Sequence, residues 1–204
     1  LYPRAHNTVK PFGTGFIDAL VGQCEKLNVP ISLETKVVRL IREEPLQGAV
    51  IGVEVVNKRG KTQFFKAEKG VVIATGGFAA NPNIRALHDP RLFDLPTTNH
   101  KGATGDLIAP AQDIGAEVVG MDFIQLLPGA ASNGRFIGMV SPVESVIFVN
   151  KNGDRFVGED QRRDVIADAI LSAPTKVVFG IRDMDGYNAM KAGAKKAFDG
   201  AYST

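Results

Sequence analysis

Apolar positions recur at helical spacing along residues 12–28. Phe16, Ile17, Leu20, Val21, Cys24 and Leu27 share one face, which predicts an amphipathic helix that must end before Pro30. Residues 31–42 are rich in β-branched side chains and predict a strand. Two further runs, residues 49–56 and 61–67, flank Asn57-Lys58-Arg59-Gly60, a polar turn ending in glycine, and together predict a hairpin. After Gly70, Val71-Val72-Ile73-Ala74 is a short continuous apolar run, the pattern of a strand covered on both faces. Residues 82–101 read as irregular, with Pro90 and Pro96 inside them. Leu107, Ile108, Ala111 and Ile114 predict a helix over residues 106–116, with Pro110 tolerated near its first turn. Further on, residues 129–135 read as loop, 146–149 as strand, and Asn152-Gly153 as a tight turn into Arg155-Phe156-Val157. Residues 163–171 read as a short helix and 176–181 as another buried strand.

A helix and a hairpin insertion between strands imply an α/β fold with a β-meander crossover. The texture changes near Met121, which divides the chain into residues 1–121 and 122–204. With 44% hydrophobic and 23% charged residues in 204, the chain is too apolar for disorder. Lys+Arg number 24 against 22 Asp+Glu, a balance that speaks against nucleic acid or an anionic membrane as the main partner. The single cysteine, Cys24, excludes an internal disulfide. No apolar run approaches the roughly 20 residues that span a bilayer. The start at Leu1 lacks a signal-peptide pattern, and the expectation drawn from it is that something was removed upstream. His6, His88 and His100 are far apart in sequence, so no metal site is expected. Neither a nucleophile elbow nor a P-loop occurs.

Three segments carry candidate chemistry. Ala74-Thr75-Gly76-Gly77 closes the apolar run, and open α/β sheets bind ligands at such strand ends. Two glycines there admit a cofactor close to the backbone and offer N–H groups to phosphate, although a plain turn has the same composition. Asn99-His100-Lys101-Gly102-Ala103-Thr104-Gly105-Asp106 precedes a helix. Thr104 or Asp106 suits its cap, and Asp106 could instead accept from a ribose hydroxyl or a flavin N–H. A capped glycine turn without ligand reads identically. Finally, residues 150–164 form a hairpin leading to a charged helix start, where Arg163 between Asp160 and Asp164 reads by composition as a surface salt bridge.

In order, these blocks resemble the flavoprotein subunit family of fumarate reductase and succinate dehydrogenase, most of all its soluble flavocytochrome c and urocanate reductase branch. The likeness runs through residues 15–27, Thr35-Lys36-Val37-Val38-Arg39-Leu40, residues 71–81 and 99–106, Ile124-Gln125 with Pro128, and residues 150–164. It implies part of a Rossmann-like FAD-binding domain over residues 1–121 and the first part of a capping domain over 122–204. The implied cofactor is FAD. Val37-Val38 would meet the adenine through backbone groups, Ala74, Thr75, Gly76 and Gly77 would lie near the dinucleotide, and Thr104, Gly105 and Asp106 would approach the flavin. Gln125 is implied in substrate binding, and Arg163 falls where the family places its proton-donating arginine. The implied reaction is hydride transfer from FAD to the C=C bond of an unsaturated carboxylate, fumarate- or urocanate-like, with an electron-donor domain or protein as a further partner. Arginine, with a pKa above about 12, is an acid only toward a strongly basic centre such as a substrate carbanion, and desolvation by a closing cap helps.

The chain also departs from the family. Leu127 stands where fumarate reductases carry histidine before the proline. The expected Thr-Glu pair and following arginine are replaced by Ile-, Met- and Val-rich residues 136–143, with Glu144 the only nearby acid. These departures imply a substrate less acidic than fumarate. The family's Gly-x-Gly-x-x-Gly turn and its downstream histidine and arginine do not occur in these residues. The expectation is therefore an internal fragment that holds FAD weakly or not at all and is inactive alone. Two alternatives stay open: a non-catalytic binding module derived from this fold, and a flavin dehydrogenase acting on a steroid or tricarboxylate. The compartment is equally open between cytoplasm and periplasm.

Overall fold

The computed structural model describes residues 8–10, 13–129 and 145–190, together with positions 192, 195 and 199. The chain divides into two compact units between Val71 and Val72. In the first unit, α1 (Thr14–Lys26) precedes β1 (Thr35–Glu44), β2 (Gln47–Asn57) and β3 (Thr62–Lys66). The three strands form one antiparallel sheet in the order β1-β2-β3, the expected meander. Asn57 closes the second hairpin with its side chain. Its Oδ1 accepts from the N–H groups of Arg59 at 2.9 Å and Lys61 at 3.1 Å, so an Asx turn supplies the reversal. Leu40 and Val55 are buried on the sheet. The apolar stripe of α1 follows the predicted spacing, yet Leu20 is 62% exposed and Ile17 60%.

In the second unit, the order is α2 (Pro82–His88), a 3-10 turn at Pro90–Leu92, α3 (Ile108–Asp113), β4 (Val146–Val149), α4 (Arg163–Ser172), β5 (Phe179–Arg182) and α5 (Met184–Ala189). Strands β4 and β5 pair antiparallel. Val146, Phe148 and Ile166 form the buried core here, with Phe156, Val157 and Ile170 packed against it. The spacing of apolar positions in residues 163–171 thus has its cause: α4 lays Ile166 against the inner face of β4. Pro110 is the third residue of α3, within the turn whose N–H groups have no intrahelical acceptor.

Four expectations fail in this unit. The run Val71-Val72-Ile73-Ala74 is not a covered strand. No described strand pairs with it, and Val72 is 91% exposed. A continuous apolar run encodes two covering layers, and neither is among the described residues. Residues 82–101 are not wholly irregular, because Asn81 Oδ1 accepts from the N–H groups of Asn83 and Ile84 and Pro82 takes the first helical position; this pairing of cap and proline starts α2. The strand expected at residues 176–181 is Phe179–Arg182, and its Phe179 and Ile181 are exposed rather than buried. Lastly, neither Thr104 nor Asp106 caps α3. Leu107 holds the cap position without a side-chain bond, and Thr104 Oγ1 donates instead to Asp106 Oδ1 at 2.6 Å. The expected loop beyond Gly129, residues 136–143 and Glu144 lie outside the described residues.

Candidate cofactor and substrate site

Two glycine segments far apart in sequence are stitched together. The Gly105 N–H donates to the Gly77 carbonyl at 3.1 Å, and the Ala80 N–H to the Ala103 carbonyl at 2.8 Å. Asn81 adds a side-chain bond from Nδ2 to the Thr104 carbonyl at 3.1 Å. The predicted residues Ala74, Thr75, Gly76, Gly77, Thr104, Gly105 and Asp106 therefore share one neighbourhood. Gly105 is required at the join. Its φ is +71°, and a Cβ there would lie 2.9 Å from Phe78 Cβ and 3.0 Å from Ile108 Cδ1. Gly76 differs: its φ is +81° but nothing stands within 4 Å of where a Cβ would be.

That open space belongs to a groove of about 290 Å3 walled by residues 73–76, by Leu107, Ile108 and Ala111, and by Glu117, Val118 and Val119. The volume lies at the lower end of the range of small-ligand sites, about 300–1,000 Å3. Its walls are mostly apolar side chains and exposed glycine-turn backbone, a surface suited to a planar ring with polar edges. The wall at residues 117–119 was missed in the sequence. Its only signal is the Val118-Val119 pair after Gly115.

Val38 lies in the first unit, on β1. Val37 pairs with Val55 and Arg39 with Glu54, so Val38 has no ladder partner and sits in a β-bulge, a device that frees backbone groups beside ligand sites. Gln125 and Leu127 are both exposed in the segment before buried Pro128.

Arg163 is the first residue of α4 and is exposed. It is Arg162, not Arg163, that pairs with Asp164, through Nε at 3.1 Å. This pairing holds the Asp164 carboxyl below its ordinary value. The approach to α4 is anchored by Glu159, 4% exposed. Glu159 Oε1 accepts the Phe148 N–H at 2.8 Å and Arg155 Nε at 3.1 Å, while Arg155 Nη2 reaches Oε2. The Arg155 hydrogen bonds hold this carboxyl below its ordinary range. Arg85 is a second buried ion. Its Nη1 donates to the Leu95 carbonyl at 2.9 Å, Nε has no partner among the described residues, and burial pushes its pKa down. Sequence gave little warning of either, since a charged residue four positions from an opposite charge is ordinary on a surface. Among the described residues no group of His, Cys, Asp and Glu is arranged to hold a metal, and no helix is long and apolar enough to cross a membrane.

Comparison with known proteins decides the family. The model of the FAD binding domain family matches residues 3–182. The chain belongs to the FAD binding domain family. Within it the kinship is to the flavoprotein branch of fumarate, urocanate and acrylate reductases. It is 36% identical over 177 residues to an NADH:acrylate oxidoreductase of Vibrio harveyi, a match covering 84% of this chain and 17% of that protein. To a urocanate reductase of Eggerthella lenta it is 35% identical over 180 residues, covering 85% and 29%. The open conformation of a flavocytochrome c3 fumarate reductase superposes with a TM-score of 0.78 at 31% identity, over 97% of this chain and 34% of that one. This chain thus spans less than a third of the length of the two curated relatives. The expected fold class and cofactor hold: an α/β segment with a meander, from an FAD-binding domain.

Proposed function

We propose that this chain is an internal part of a flavin-dependent reductase acting on the C=C bond of an unsaturated carboxylate. The observation that carries the reading is the join of Gly77 to Gly105 beside an apolar groove, in a chain of the FAD-binding family. The residues fit the cofactor: an unfilled space at Gly76 lets a ring or phosphate approach the backbone, and Ala74, Thr75, Gly76, Gly77, Thr104, Gly105 and Asp106 would hold it. Val38, in its bulge, would offer free backbone groups to the adenine. When bound, FAD supplies the hydride to one carbon of the double bond. Arg163 holds a guanidinium proton and delivers it to the adjacent carbon, and Gln125 orients the substrate through its amide. A solvent-exposed arginine is a poor acid, so the reading requires a closing cap that desolvates Arg163. We assign residues 1–121 to the FAD-binding part and 122–204 to the first part of that cap.

Leu127, an apolar side chain before Pro128, supports a substrate with fewer charges than fumarate. The test is turnover by the longer flavoprotein containing this chain, with acrylate, urocanate and fumarate compared. A less acidic acceptor should be preferred. Arg163→Ala should lower kcat by about a hundredfold or more, the usual scale for general acid–base groups. Full activity in that variant removes the proton-donor assignment, and lack of any reduction of an activated C=C bond removes the reductase.

A further inference from the structure

A continuous run of contacts links the glycine join to the helix that carries Arg163. Asn81 bonds the Thr104 carbonyl and also caps α2. Helix α2 leads through Asp89 into the 3-10 turn that bears Arg91. Arg91 Nε lies 3.1 Å from Asp89 Oδ1 and its Nη2 2.8 Å from Oδ2. The remaining arm, Nη1, donates at 2.9 Å to Asp168 Oδ1, 77 positions away on α4. From the segment after α4, Lys176 Nζ donates to the Arg91 carbonyl at 2.8 Å. Arg91 is thus gripped by side chain and by backbone from α4 and its exit. Arg163 opens the same helix, about 7.5 Å along its axis from Asp168 at 1.5 Å per residue.

We propose that Arg91 is a positioning residue, whose simultaneous hold on Asp89 and Asp168 sets α4, and with it Arg163, against the joined glycine turns. The proposal rests on the reading of Arg163 as proton donor. A planar guanidinium serves two carboxylates at fixed angles, which a lysine ammonium cannot. Both sides of the grip are exposed, Arg91 by 44% and Asp168 by 64%, so salt screens it. The fold of this region rests elsewhere, on Phe148 and Ile166. A weak, screened contact midway along α4 suits a joint that holds a catalytic geometry and reopens.

The experiment uses the full-length protein carrying Arg91→Ala, Asp168→Ala, both together, and separately Arg163→Ala. Spin labels at Asn83→Cys and Ser172→Cys, in a background where Cys24 and every other reactive cysteine of the longer protein are replaced by serine, report the distance between α2 and α4. Each single variant should broaden that distance and lower kcat by on the order of a hundredfold with KM nearly unchanged, the cost of a misplacement of about 1 Å. The double variant should be no worse than either single one. Raising salt to about 1 M should bring the unmodified protein to the variants' rate and leave theirs alone. Arg91→Lys should not restore the rate. Unchanged distance and kcat in the single variants, or losses that add in the double, overturn the positioning role while an inactive Arg163→Ala leaves the donor reading intact. Full activity in Arg163→Ala overturns the donor reading and this proposal with it.

Discussion

Gly76 and Gly105 share a left-handed backbone yet stand in opposite surroundings, and their alanine variants separate conformational strain from crowding. Gly76→Ala meets nothing within 4 Å, so its cost is the handedness alone, roughly 1–2 kcal/mol. Gly105→Ala adds a methyl 2.9 Å from Phe78 Cβ, and overpacking brings a further 1–3 kcal/mol or so. Denaturant melts should rank Gly105→Ala as the more destabilised; equal losses would show that the join is looser than its hydrogen bonds imply. Glu159 gives a second test at this scale. Its carboxyl is held below its ordinary value of 4.5 chiefly by Arg155, so its ionised form is favoured in the fold. A depressed pKa contributes stability above the unfolded value, about 4.5, and that stability is lost as pH falls through the folded value. Glu159→Gln should therefore melt earlier at pH 7, with a flatter loss of Tm between about pH 5 and 3. Asp89 and Asp164 are lowered too, by Arg91 and Arg162, so part of the acid slope should remain. Were the variant's profile to parallel the original, the Arg155–Glu159 clamp would carry no stability. In sequence Glu159 is one acid among several in residues 159–164, and only the β4 N–H at Phe148 distinguishes it.

Elements were legible where one local pattern suffices. Alternation and the Asn57–Gly60 turn specify β2 and β3, and apolar spacing specifies α1 and α4, because side-chain direction follows the backbone period. Helix α2 is hard to read because seven residues are too few for an apolar period to show. Its start depends on the Asn81 cap, which itself bonds the Thr104 carbonyl, 23 positions on. The run at residues 71–74 failed for the opposite reason. Its composition records neighbours that must come from elsewhere, and a strand without a partner leaves its N–H groups in water. The joined site was half visible: both glycine segments stood out, but their hydrogen bonds could not be inferred from spacing. We expect the amides of Val71, Val72, Ile73 and Ala74 to exchange rapidly with solvent in the 204-residue chain and to gain protection by about a hundredfold or more in the longer flavoprotein, where a parallel sheet would pair them. The amides of β2, between two strands, should be slow in both. Equal protection of residues 71–74 in the two proteins would remove the inferred sheet.

At the scale of the whole molecule, the groove alone is too small a grip for a dinucleotide. Its volume of about 290 Å3 accommodates one ring system, and tight sites enclose most of their ligand's surface. Phosphate recognition needs several N–H groups converging at a helix start or glycine nest. Here α3 begins at Ile108 with Leu107 as a cap that has no side-chain bond, and the glycine turn at Gly76 and Gly77 is followed only by residues 78–81 and the short α2. The run at Val72 and Ile73 is exposed as well, so ordering it around a ligand would carry an entropic cost that the groove's contacts must offset. The 204-residue chain should therefore bind FAD with a Kd of about 0.1 mM or weaker, near −5.5 kcal/mol. The longer flavoprotein should keep its flavin through gel filtration. Quenching of flavin fluorescence on titration measures the first, and absorbance of the eluted protein the second. Purification of this chain as a yellow protein with one FAD per polypeptide would mean that the groove and the two glycine turns already hold the cofactor.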